Sequence, residues 1–137
     1  MRLVIDTNVL LSALMTRQTP PDRLYEAWRE GRFVLVSCKQ QLEEIRRVSR
    51  RDSVRLRLRA TEAGRMVNDI RSLSVMLDAL PVVDISPDPY DNYLLALAEA
   101  GQADVLVTGD KQGMLALGRH CVTCIVTARD ALELFTV

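Results

Sequence analysis

The residues best placed to do chemistry are carboxylates that follow short apolar runs. Asp6 comes directly after Leu3-Val4-Ile5, and Asp110 follows Val105-Leu106-Val107-Thr108-Gly109. Asp91 opens an apolar segment after Pro89, and Glu43 and Glu44 lie about two turns into the segment that follows Phe33 to Ser37. If those runs are strands of one parallel sheet, the acids gather at the carboxyl edge, where open α/β sheets place their sites. Two carboxylates about 4 Å apart repel by about 1 kcal/mol in water and about 4 kcal/mol at an effective dielectric of 20. Such a cluster therefore calls for protons or a hard cation. Mg²⁺ or Mn²⁺ would suit all-oxygen ligands and would bring the chemistry of phosphoryl-centre displacement. Taken singly, Asp91 reads more readily as an N-cap, Asp110 as a turn residue and either Glu as part of a solvated helix face. Asp6 is harder to explain structurally, because a charge directly after an apolar central strand is seldom buried without a partner.

The elements that must position these acids alternate along the chain. Leu3–Ile5, Phe33–Val36, Leu80–Val83, Val105–Val107 and Cys121–Val126 read as strands, nearly all apolar, as in a parallel sheet buried on both faces. Asn8–Met15, Asp22–Glu30, Lys39–Arg50, Thr61–Leu77, Asn92–Ala100 and Ala128–Phe135 carry apolar residues at helical spacing. Pro20-Pro21 suits a first helical turn, Asp91 an N-cap, and Gly31 and Gly101 left-handed C-caps. The alternation predicts a single α/β domain over residues 1–137, a three-layer α/β/α sandwich around a mainly parallel five-stranded sheet.

Composition agrees with a globular domain. Of 137 residues, 48% are hydrophobic and 26% charged, and 18 Lys+Arg balance 18 Asp+Glu. The balance hides an asymmetry: residues 1–71 hold 15 basic against 9 acidic residues, net +6, and residues 72–137 hold 3 against 9, net −6. No apolar run approaches the roughly 18 residues of a membrane span. Three cysteines and an N-terminus without a long apolar region suggest a reducing, cytoplasmic setting.

The segment Leu3-Val4-Ile5-Asp6-Thr7-Asn8-Val9-Leu10 resembles the opening strand and first acid of the PIN domain family of metal-dependent ribonucleases. Ser37 followed by Glu44-Ile45-Arg46-Arg47-Val48 is similar to the segment of the second acid. Asp88-Pro89-Tyr90-Asp91-Asn92-Tyr93-Leu94 is similar to that of the third, and Val107-Thr108-Gly109-Asp110-Lys111 to the fourth-strand motif. The resemblance implies Asp6, Glu44 and Asp91 as ligands of a principal Mg²⁺ or Mn²⁺. Asp110 would serve a second metal or orient the attacking water, and Asn8 and Thr108 would support the site. It implies an RNA substrate and a homodimer. The likeness is greatest to bacterial toxin components of VapC-type toxin–antitoxin systems, which implies a cognate antitoxin. Many relatives carry a further Asp two or three residues beyond the position of Asp110, where this chain has Gln112 and Gly113. A second metal would then rest chiefly on Asp110 and waters.

Downstream of Glu44 the chain is rich in arginine. Arg46, Arg47, Arg50 and Arg51 are the nearest candidates for an RNA backbone or an acidic antitoxin tail, with Arg55, Arg57, Arg59 and Arg65 beyond. A solvated helix face explains them equally well. Aromatic residues are few (4%), so base stacking on Trp28, Tyr90 or Tyr93 would be limited. Cys121 and Cys124 have C-x-x-C spacing, but in a strand they would face opposite ways, and with only His120 and Cys38 besides, no zinc site is expected. Two rival functions remain. A haloacid dehalogenase-type phosphatase needs a second Asp where Asn8 stands, and a catalytically silent PIN-like module would bind RNA or protein without cutting.

Overall fold

The computed structural model describes residues 1–110 and 112–135. The chain runs β1 (Arg2–Ile5), α1 (Thr7–Met15), α2 (Pro20–Arg29), β2 (Val34–Cys38), α3 (Lys39–Ser49), α4 (Asp52–Arg55), α5 (Ala60–Leu73) and β3 (Val75–Leu77). It continues α6 (Pro89–Ala100), β4 (Val105–Val107), α7 (Met114–Leu117), β5 (Arg119–His120), β6 (Thr123–Val126) and α8 (Ala128–Glu133).

Strand residues alternate between two apolar cores, as pleated backbone requires. In β1, Leu3 and Ile5 enter the core formed with α1, α2, α3, α5 and α8, whereas Val4 enters the core formed with α6. In β4, Val105 and Val107 go to the first and Leu106 to the second. The sheet is thus covered on both faces, the expected three-layer sandwich. Burying each large aliphatic side chain contributes about 1.5–3 kcal/mol, and Leu94, Leu95 and Leu97 of α6 are fully buried.

The sheet has six strands in the order β3-β2-β1-β4-β6-β5. Five are parallel, and the two-residue β5 adds an antiparallel edge to β6. Strand order reverses between β1 and β4, which pair in register from Leu3 opposite Val105 to Ile5 opposite Val107. The residues after these two strands, Asp6 and Asp110, therefore flank the topological switch point.

Several expectations are corrected. Leu80–Val83 is not a strand: Pro81 lacks the N–H a ladder needs, and Val82 is 97% exposed. The third strand is Val75–Leu77, inside the segment read as the tail of a helix. Ile70, Leu73 and Leu77 keep helical spacing through it, but the helix ends at Leu73 and Ser74 turns extended (φ −97, ψ 167). The helix expected over Lys39–Arg50 ends at Ser49, and the arginine-rich stretch beyond it contains the short α4. Cys121 lies in the β5–β6 turn, not in a strand. Gly31 does adopt a left-handed φ of +80, but Gly101 does not (φ −82). Gly101 is needed for closeness, since a Cβ there would lie 2.6 Å from Val36 Cγ1. No helix among the described residues is long and apolar enough to cross a membrane.

Candidate active site

Asp6 sits where β1 ends and α1 begins, and its backbone N–H donates to Val107 O at 2.9 Å, locking it beside β4. The side chain is 3% exposed and accepts three hydrogen bonds. The Asn8 backbone N–H (3.0 Å) and the Tyr90 hydroxyl donate to Oδ1, and the Thr108 hydroxyl donates to Oδ2 at 2.9 Å. Thr108, a residue singled out in the sequence, thus contacts Asp6 directly. The bond from Asn8 comes from its backbone.

Asp91 was expected to cap α6. The cap is instead Asp88, whose carboxylate accepts from Tyr90 N at 2.9 Å, with Pro89 in the first turn. Asp91 is thereby free to point inward from that turn, 4% exposed, accepting among the described residues only from Ser86 Oγ at 3.2 Å. Burial, reinforced by Asp88, Asp110 and Asp6, pushes its carboxyl above the usual range, against the lowering effect of the Ser86 bond. Asn92 clasps the preceding loop, accepting from Ile85 N and Ser86 N and donating to Ser86 O.

Asp110 is exposed at the rim. Its Oδ1 accepts from Gly113 N at 3.0 Å, and its own N–H donates to Thr108 Oγ1. A Cβ at Gly113 would lie 2.0 Å from Asp110 Oδ2 and 3.1 Å from Asp91 Oδ2. Asp6, Asn8, Tyr90, Asp91, Thr108 and Asp110 line one open cleft of about 570 Å³. Lys111, part of the motif read in the sequence, lies outside the described residues.

Glu44 borders an adjoining hollow of about 260 Å³ with Asn8, Arg47, Arg51 and Tyr90. Asn8 and Tyr90 line both spaces, so they stand between Glu44 and the other acids. Of the pair considered from sequence, Glu43 is exposed and Glu44 only 9% exposed. Glu44 Oε2 meets Arg47 Nη2 at 3.7 Å, while Oε1 is buried with no hydrogen-bond partner among the described residues. The helix bearing Glu44 is anchored one turn earlier by buried Gln41, which donates to Ile5 O at 2.6 Å and accepts from Ser37 Oγ at 2.6 Å. Of the four arginines considered, Arg47 and Arg51 border this hollow, while Arg46 and Arg50 are exposed and line neither space.

Tyr90 and Gln41 are the residues the sequence reading missed as site components. Burial, then the Asp6 carboxylate, pushes the Tyr90 phenol well up, so its hydroxyl stays a donor. Gln41 left a signal, a polar residue spaced four before Ile45 on the apolar face of α3. Trp28 and Tyr93 are too buried for base stacking (5% and 7% exposed).

Buried acids held mostly by neutral donors, one carboxylate oxygen without a partner and an all-oxygen donor set fit a hard divalent cation. A family model of the PIN domain matches residues 2–112, and the chain belongs to that family. PIN domains are in general metal-dependent nucleases. No curated protein and no solved structure matches the chain.

Proposed function

We propose that this chain is a metal-dependent endoribonuclease, acting as a single PIN-like domain over residues 1–137. The observation that carries the reading is the meeting of Asp6, Asp91 and Asp110 in one cleft at the switch point, with the unpartnered Glu44 oxygen beside it. Asp6, Glu44 and Asp91 would hold Mg²⁺ or Mn²⁺, with Asp110 assisting a second ion or orienting the attacking water. When bound, the cation lowers the pKa of water and neutralises charge gathering on the scissile phosphate. Thr108 holds Asp6 Oδ2 while the Tyr90 hydroxyl occupies Oδ1, and Arg47 and Arg51 present guanidinium groups for the RNA backbone. A toxin role with a cognate antitoxin and a homodimer complete the proposal on the resemblance of the sequence motifs alone, and a cytoplasmic setting on the three cysteines and the N-terminal composition.

The test is cleavage of a long structured RNA by purified protein in Mg²⁺ or Mn²⁺ against EDTA. Cutting is expected with metal and not with chelator. A folded, cation-binding protein that leaves RNA intact would instead be a silent binding module.

Tyr90 gives a second expected result. Its hydroxyl competes with a cation for Asp6 Oδ1, so Tyr90→Phe should bind Mn²⁺ severalfold more tightly by calorimetry. The metal-free variant should lose about 1 kcal/mol of stability with that hydrogen bond. Weaker Mn²⁺ binding would show that the hydroxyl holds Asp6 in its ligating pose.

A further inference from the structure

We infer that Glu99, His120 and Cys121 form a second cation site, separate from the acid cleft and selective for one borderline-soft divalent ion of the zinc class. Glu99 lies near the C-terminal end of α6, two turns beyond Asp91, and His120 and Cys121 belong to the β5–β6 hairpin. Their ligand atoms all lie within 4.8 Å of one another. Cys121 Sγ is 3.2 Å from Glu99 Oε1 and 3.8 Å from His120 Nε2, and Nε2 is 3.7 Å from Oε1. Tetrahedral zinc, with bonds of about 2.3 Å to sulfur and about 2.0–2.1 Å to nitrogen and oxygen, separates its ligand atoms by about 3.3–3.6 Å. The three groups already stand within a few tenths of an ångström of that arrangement.

Rigidity and ligand chemistry support the same assignment. The His120 side chain is only 8% exposed, and its residue is pinned by pairing with Thr123. Thr123 Oγ1 in turn donates to Ala103 O at 2.6 Å, fastening the hairpin to the segment just after α6. Cys121 is exposed, which leaves solvent access for a fourth ligand, a water. A thiolate with an imidazole favours zinc or cobalt over magnesium, whereas the all-oxygen cleft favours the reverse. The Cys121 thiol now donates to Glu99; on binding, the cation takes the place of that proton, which passes to solvent. Cys124, despite its C-x-x-C spacing, is directed elsewhere, its Sγ accepting from Arg119 Nη2 at 3.2 Å. An ion here would staple α6 to the hairpin and stabilise the fold by mass action.

Cobalt titration followed by absorption tests the site, because a thiolate-to-cobalt charge-transfer band cannot arise from carboxylates. The full chain should develop this band, saturating at one equivalent of sulfur-bound Co²⁺, and Zn²⁺ should abolish it by competition. The band should be absent in Cys121→Ser and unchanged in Cys124→Ser and Asp91→Asn. Glu99→Gln should weaken Co²⁺ by more than the roughly 10–100-fold that loss of an outer-shell partner costs. Cys121→Gly is the folding control: φ is +53 at this position, so glycine should keep or raise the Tm while eliminating the band. No band in the folded wild type, or a band that survives Cys121→Ser, would overturn the assignment. Neither outcome depends on whether the protein cleaves RNA.

Discussion

Asp91→Asn protein is expected to lose metal-dependent RNA cleavage by about 10²–10³-fold, the usual effect of removing one preorganised electrostatic group, while its metal-free form melts at a higher temperature. The sign follows from linkage. Asp91 has its carboxyl pushed above its ordinary value of 3.8 in the folded state, so the fold binds that proton more tightly than the unfolded chain does. Ionised Asp91 therefore costs stability, increasingly as pH rises through the unfolded value and fully above the folded one. Asparagine removes the cost and can still accept from Ser86 through its amide oxygen. A higher Tm is expected at pH 7 in EDTA, the gain shrinking as pH falls through the raised folded value and vanishing below 3.8. Asp6→Asn provides the contrast. It should be equally inactive but less stable, because an amide has one oxygen where the carboxylate serves three donors from two, and unsatisfied buried donors cost about 1–3 kcal/mol each. Thermal melts in EDTA beside cleavage assays check both. A destabilised Asp91→Asn would show that the crowded carboxylate contributes to the fold.

Gly113→Ala is expected to reduce cleavage at least about tenfold with little change in Tm. The added Cβ would fall 2.0 Å from Asp110 Oδ2 and 2.8 Å from its Cγ. Asp110 is exposed, so its carboxylate escapes by swinging into solvent, losing its place in the cleft and its bond from Gly113 N. The same contact bears on the acid that many PIN relatives carry two or three residues beyond this position. Gly113→Asp adds the carboxylate but meets the same obstruction, and its Cβ also crowds Asp91 Oδ2 at 3.1 Å. It should therefore be no more active than the alanine variant. Activity above wild type in Gly113→Asp would show that the loop reopens to admit a further acid.

How far the sequence revealed the site depended on the range of the interactions involved. Asp6 and Asp110 were legible because a charge directly after a short apolar strand is a local signal, and parallel pairing then fixes where both lie. Asp91 was legible as an acid at a helix start, but its role as cap went to Asp88, three residues earlier and directly before Pro89. The strand Val75–Leu77 was hidden because three residues are too few to break the helical spacing of Ile70, Leu73 and Leu77. Tyr90 and Gly113 were illegible for a different reason. Their effects lie in contacts, one reaching Asp6 across 84 residues and the other set by the space around a missing Cβ. Glu99 is separated in sequence from the adjacent His120 and Cys121 by β4, α7 and the first residue of β5, so their meeting left no local signal beside the C-x-x-C spacing.

The bond from Thr108 to Asp6 spans 102 residues, and β4 reaches its place only after β1, β2 and β3 have been made. During synthesis, Asp6, Glu44 and Asp91 all precede the strand that aligns them, Asp6 and Glu44 by far and Asp91 by 14 residues. A nascent chain stopped short of β4 holds Asp6, Glu44 and Asp91 but lacks both the β1–β4 pairing and the hydroxyl that sets Asp6 Oδ2. The cleft is thus among the last parts of the molecule to be completed as the chain is made.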